Sequence, residues 1–233
     1  MTPITRRSFV SHAAATVATF GALSQAAPEA QGQLVWKSSQ WNIADFRKLI
    51  GDPARIKQIY DVVGIGNGKF LNNIKNSLNG LSFGFGIPEQ QMKVAAGLHG
   101  PANMVNYDDY IWEKYRVGEW LSVTDPTTGK PAVRNIFYPE KTAASQDPND
   151  EHSPDQDTSV QRLQARGVQF LSCHTALEEQ ARALVRRDKL TQTPEAIVRD
   201  MLAHALPGVL VVASMVAAIA LLQAEGHYTY ITA

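Results

Sequence analysis

Short apolar runs of strand character alternate along this chain with segments that repeat at the helical period, and that alternation limits the fold more than any other feature. Arg55 to Val62 alternates polar and apolar residues, the period of a half-buried strand. Gly64, Gly66 and Gly68 break it, and Phe70, Leu71, Ile74, Leu78 and Leu81 then recur at three- and four-residue spacing, which predicts a helix. Met92 to Leu98 reads as a second strand, closed by His99-Gly100-Pro101. Gly167 to Ser172 is a third, with Cys173 at its end, and a helix with Ala176, Leu177, Ala181, Leu184 and Val185 on one face follows. Thr193 caps a further helix that has Pro194 in its first turn. Pro207-Gly208 turns the chain into the strand Val209–Val212, Ser214 to Ala224 is helical, and His227 to Ile231 is a last strand. Strands that alternate with helices predict an α/β fold: a mostly parallel five-stranded sheet with helices on both faces, a three-layer sandwich.

Other segments carry different information. Arg6-Arg7-Ser8-Phe9-Val10 followed by an Ala- and Thr-rich stretch to Leu23 is a twin-arginine export pattern, and Ser24-Gln25-Ala26 is a small-x-small cleavage site, so residues 1–26 read as a signal peptide and the working protein as periplasmic. Residues 27–54 read as an extended arm anchored by Trp36 and Trp41, ahead of one domain at 55–233. Asp108 to Leu121 is helical and aromatic-rich, with Trp112, Tyr115 and Trp120. Residues 124–158, dominated by Pro, Asp, Gly, Thr and Ser, read as a long surface insertion, and a helix near Ser159–Arg166 restores order. Leu206 to Leu222 holds seventeen residues without a charge, but Pro207-Gly208 interrupts it, so a buried strand and helix explain it better than a membrane span.

Without Arg6 and Arg7 the chain keeps 20 of its 22 basic residues against 22 acidic ones, a net charge near −2, and no basic stripe points to nucleic acid. The single cysteine rules out an internal disulfide, so core packing alone must hold the domain. Cys173-His174 offers no helical ligand pair and His12, His152, His204 and His227 are scattered, so neither a metal nor another cofactor is expected. The run Gly64-x-Gly66-x-Gly68 lacks the dinucleotide spacing and the P-loop Lys-Ser/Thr.

Three pieces of the C-terminal half carry a family likeness. Gly167-Val168-Gln169-Phe170-Leu171-Ser172-Cys173-His174-Thr175-Ala176-Leu177 resembles the strand–cysteine–helix element of the DsrE/DsrF-like family of small sulfur-relay proteins. Leu206-Pro207-Gly208-Val209 is similar to its Leu-Pro-Gly-Val turn, and Leu222-Gln223-Ala224-Glu225-Gly226-His227-Tyr228-Thr229-Tyr230-Ile231 to its Leu-Gln-x-x-Gly-Tyr-x-Tyr-Ile ending. Upstream, Lys93 to Gly100 resembles its second strand, which closes on a His-Gly pair; the likeness spans residues 55–120 and 157–231. It implies a five-stranded α/β sandwich, a homo-oligomer (trimer or hexamer), and a cysteine that carries sulfur as a persulfide between a donor and an acceptor protein.

The candidate site follows. Cys173 stands where the carboxyl end of a strand meets a helix start, the edge at which open α/β sheets bind ligands, and the helix N–H groups there favour an anion such as a thiolate. The bland alternative is a buried structural thiol, which would leave a non-enzymatic binding or structural module. His174 follows directly as a proton carrier. His99 ends the second strand and opens onto the same edge, a nucleophile–base arrangement with Cys173, or else it serves the turn that follows. Asn103 and Asn106 are candidates to line the pocket with amides, with turn duty the plainer use. Glu178, Glu179, Arg182, Arg186 and Arg187 read as a solvated helix face.

Overall fold

Every strand of the sheet runs in the same direction. A computed structural model describes residues 34–142, 144–152 and 156–233, all within one contact unit that runs from Gly32 to Ala233. The expected signal peptide at 1–26 lies outside the described residues. The strands are β1 (Ile56–Val62), β2 (Met92–Leu98), β3 (Gln169–Cys173), β4 (Leu210–Val212) and β5 (Thr229–Thr232). Their spatial order is β4-β3-β2-β1-β5, parallel throughout. The chain steps from β1 to β4 in one direction and then returns across the whole sheet, so that β5 pairs with β1. The direction of the connections therefore reverses after β4, so that the chain leaves the neighbouring ends of β3 and β4 toward opposite faces, and the crevice at such a reversal is where open α/β sheets hold ligands.

A parallel sheet has to be covered on both faces, and the strand periodicity sorts the side chains accordingly. On one face Tyr60, Val62, Val94, Ala96, Leu98 and Phe170 meet the apolar sides of α2 (Lys69–Asn79), α5 (Val160–Ala165), α6 (His174–Asp188) and α7 (Pro194–Ala203). On the other, Ile59, Ala95, Leu171, Cys173 and Val212 meet chiefly α1 (Ile43–Ile50) and α8 (Met215–Ala224). Helix α1 corrects the expected extended arm. Asn42 caps it by accepting the N–H of Asp45, and Phe46, Leu49 and Ile50 point into the core. An eight-residue amphipathic segment is too short to be stable alone and folds because that face has somewhere to pack.

The aromatic helix expected over 108–121 is broken in two, α3 (Asp109–Lys114) and α4 (Val117–Leu121), by Arg116 at φ 49°. The apolar stretch of Leu206–Leu222 divides into turn, β4 and α8, and among the described residues no helix is long and apolar enough to cross a membrane. Three further helix starts carry side-chain caps: Asp108 accepts from Ile111 N–H, Ser159 from Arg162 N–H, and Thr193 from Ala196 N–H ahead of Pro194.

The insertion at 124–158 is fastened to the body by buried polar groups. Asn135 Nδ2 donates to the carbonyls of Val105 (2.9 Å) and Tyr107 (2.7 Å), and Ala132 and Phe137 are buried. The Phe137 ring lies so close to the β1–α2 loop that a Cβ at Gly68 would stand 2.7 Å from it; Gly68 also has φ 76°, so glycine is required there twice over. Gly118 in α4 plays the same part, since a Cβ would fall 2.2 Å from the carbonyl oxygen of Ala132. Backbone cannot yield as a flexible side chain does. Gly118→Ala should therefore destabilise the protein by about 2–3 kcal/mol, read as a lowered midpoint in chemical denaturation, and an unchanged midpoint would mean that the insertion is not docked as described.

Candidate functional site

The carboxyl end of β3 is held from behind by a buried amide network. The short 3-10 segment Gly100–Asn106 places Asn103 and Asn106 fully inside the protein. Asn103 Oδ1 accepts the N–H of Cys173 (3.0 Å) and the hydroxyl of Ser172 (3.0 Å), while its Nδ2 donates to the Cys173 carbonyl (3.4 Å) and to Gln180 Oε1 (3.3 Å). Asn106 Nδ2 donates to the Leu171 carbonyl (3.1 Å). Tyr107 and Ser172 share a hydroxyl bond of 2.6 Å, and burial drives the Tyr107 phenol far above its ordinary value. Both asparagines thus serve the backbone where β3 turns into α6, and no side of either faces solvent.

That backbone aims Cys173 at two helix starts at once. The residue is 4% exposed and caps α6. Its Sγ accepts the N–H of Ala176 (3.5 Å) in α6 and the N–H of Met215 (3.3 Å), the first residue of α8. Sulfur is a weak acceptor when neutral and a much better one as a thiolate. The N–H groups of a helix start have no partner inside their own helix, so both are available to the sulfur.

His174 goes elsewhere. It is buried, stacks on Trp36 with ring centroids 3.9 Å apart, and has Nε2 3.8 Å from Glu178 Oε1. Burial pushes its imidazole down to about 4, with a backbone bond to Leu34 acting weakly the other way. At neutral pH it carries no charge and is packed as an aromatic plate. Glu178 corrects the reading of a wholly solvated face. It is buried, burial raises its carboxyl, and Arg182 Nη1 at 3.0 Å opposes that rise.

His99 stays nearer the surface. It continues β2 in extended conformation, and its N–H donates to the Val62 carbonyl (3.0 Å). Its Nε2 lies 2.7 Å from Asp61 Oδ1, and the other carboxylate oxygen of Asp61 accepts the Tyr230 hydroxyl at 2.6 Å. The Asp61 bond raises the Tyr230 phenol. In register, Leu98 pairs with Ser172, so His99 stands beside Cys173 on the neighbouring strand. Alternation along the strands sets Asp61, His99 and Cys173 on the face that carries Ile59, Ala95 and Leu171. Between them, Gly97 leaves room for Met215; a Cβ there would sit 2.7 Å from the Met215 sulfur. His99 and Cys173 are strand neighbours, yet the hydrogen bond of His99 goes to Asp61.

Asp61 and Tyr230 have no counterpart among the sequence-derived candidates. The trace available for Asp61 is a carboxylate between Tyr60 and Val62, near the end of an otherwise apolar strand; Tyr230 becomes meaningful only once β5 is known to pair with β1. Two clefts lie away from these groups. One, of about 450 Å³, is lined by Trp36, Trp41 and the β4 edge, and the other, of about 370 Å³, lies between Gly68 and the insertion. Comparison of the chain with family models, with curated proteins and with solved structures gives no match.

The depressed imidazole of His174 has a signed consequence. An unfolded histidine binds its proton near pH 6.5, whereas the folded one resists it until about 4, so the unfolded state is favoured as pH falls across that window. Stability should drop by about 3 kcal/mol between pH 6.5 and 4 relative to a His174→Asn variant, measured by denaturant unfolding at each pH. Glu178, with its raised carboxyl, works in the opposite sense, so the reading is the difference between the two proteins; parallel pH curves would refute the burial of a neutral His174.

Proposed function

We propose that this chain is an exported DsrE/DsrF-like protein that carries sulfur on Cys173 as a persulfide, in the periplasm. The observation that carries the reading is the pair of backbone N–H groups, from α6 and from α8, that converge on one sulfur at the carboxyl edge of the sheet. Two helix starts stabilise an anionic sulfur better than one. The all-parallel five-stranded sheet agrees with the resemblance of the C-terminal strand–cysteine–helix element, and the twin-arginine pattern supports export. In the transfer, the Cys173 sulfur attacks the outer sulfur of a donor persulfide R–S–SH, the donor S–S bond breaks, and R–SH leaves with the proton that Cys173 gave up. A second acceptor thiol can then take the outer sulfur by the same chemistry, with no net oxidation. A competing reading, a small-ligand-binding or structural module with an inert thiol, draws on the 4% exposure of Cys173.

Incubation of the folded protein with glutathione persulfide separates the two. The transfer reading expects a mass gain of one sulfur atom, reversed by a thiol reductant and absent in Cys173→Ser. Labelling that appears only after unfolding would favour the inert module.

We also propose a homo-oligomer, a trimer or hexamer, built on the outer side of α8. That helix is apolar apart from Gln223, yet Val216 is 69% exposed and Ala217, Ala220 and Ala224 face outward. A helix of that composition belongs inside a larger structure. Light scattering should give a multiple of the chain mass, and Val216→Lys should reduce it; a wild-type monomer at micromolar concentration would end the proposal.

A further inference from the structure

Tyr230, Asp61 and Cys173 lie in β5, β1 and β3 and His99 directly follows β2, so the strand order β5-β1-β2-β3 lines them up as Tyr230, Asp61, His99 and Cys173 along one edge of the sheet. Three of them already form a hydrogen-bonded chain, Tyr230 hydroxyl to Asp61 and Asp61 to His99, at 2.6 and 2.7 Å. The side chains of His99 and Asp61 are 21% and 18% exposed, so the pair is half-buried yet open to a ligand at the edge. Asp61 engages Nε2, which leaves Nδ1 as the ring nitrogen not committed to the carboxylate. A carboxylate on one imidazole nitrogen fixes the tautomer and directs the other nitrogen to the reaction.

Neighbouring parallel strands stand about 4.8 Å apart, and His99 continues β2 at the level of Cys173. His99 and Cys173 therefore flank one strand gap at this edge.

We infer that Tyr230, Asp61 and His99 form a proton-transfer arm for a small persulfide bound between His99 and Cys173, with His99 as the group that moves the proton and Asp61 and Tyr230 as positioning residues. This rests on the sulfur-transfer reading of Cys173. His99 Nδ1 takes the thiol proton as Sγ attacks the outer sulfur of the donor. The donor S–S bond breaks with its electron pair on the inner sulfur. The imidazolium then delivers the same proton to that sulfur, and His99 returns to its neutral form. The N–H groups of Ala176 and Met215 hold the transient thiolate. His174, stacked under Trp36, takes no part.

Two donors expose the delivery step. An alkyl donor, glutathione persulfide, leaves as a strongly basic thiolate that needs a proton, whereas a dipyridyl disulfide leaves as a weakly basic one that does not. Loss of His99 withdraws help with proton uptake from both donors and with proton delivery from the alkyl donor alone. The alkyl-to-dipyridyl rate ratio at Cys173 should therefore fall at least about tenfold in His99→Gln and in Asp61→Asn. Tyr230 is 42% exposed, so Tyr230→Phe leaves the fold intact, and it should lower the ratio by a smaller factor, about threefold. Equal slowing with both donors, or an unchanged ratio in all three variants, would overturn the proton arm while leaving sulfur transfer in place. A folded wild-type protein that reacts with neither donor would overturn the sulfur-transfer reading and the arm together.

Discussion

The pairing of β5 with β1, through Gln58–Thr229 to Asp61–Thr232, shapes most of what surrounds the carboxyl edge. After β4 the chain has reached one side of the sheet, and its next strand lies at the other. Helix α8 has to cross β3, β2 and β1 on the face opposite α6, and its first residue therefore lands at the end of β3. That is why the N–H of Met215 reaches the Cys173 sulfur, and why Gly97 in β2 has no side chain to oppose the Met215 thioether. The same return brings the Tyr230 hydroxyl to Asp61. A β5 paired outside β4 would break both arrangements at once.

The two faces of the sheet are covered unequally, and the site sits under the thinner cover. Helices α2 to α7 contribute to the core on one face, while α1 and α8 supply most of the cover on the other. Each large apolar side chain in that second core, such as Phe46 or Leu222, contributes about 1.5–3 kcal/mol by leaving water, so eight residues of α1 matter to stability far beyond their number. The chain ahead of α1 adds Trp36 over His174 and Trp41 against Phe46. Ring stacking of this kind closes the N-terminal side of α6 without a further strand or helix.

How much of this could be read in the chain depends on how local each feature is. Strand β2 was legible to its last residue because an apolar run meets His99-Gly100-Pro101, and α7 because Thr193-Pro194 marks a helix start on its own. Helix α1 was not, since Ile43, Phe46, Leu49 and Ile50 span barely two turns and Trp36 and Trp41 suggest an extended anchor. The ending His227–Ile231 was placed two residues early, because His227 takes φ 57° and is part of the turn; β5 starts at Thr229. Cys173 and His99 stood out as chemistry at strand ends. Asp61 and Tyr230 did not, because strand order is a long-range property and no spacing between residues 61 and 230 records that β5 lies next to β1. Glu178 misled for a similar reason: its helix neighbours are charged, and only the packing of Leu34 and Trp36 over His174 shows that this turn of α6 is inside.

The two histidines near Cys173 differ in how the fold places them. His174 is the sequence neighbour, but α6 begins with it, so its ring leaves the strand edge and enters an apolar enclosure in which a charged ring would lose its water with only Glu178, 3.8 Å away, to replace it. A group held down to about 4 has no proton to donate at neutral pH and a poor grip on one it accepts. His99 is the neighbour in space. It keeps part of its ring at the surface and has a carboxylate 2.7 Å from one nitrogen. Adjacency along the chain thus picks out the histidine that is packed away from the strand edge, and adjacency across the sheet picks out the one that stays beside it.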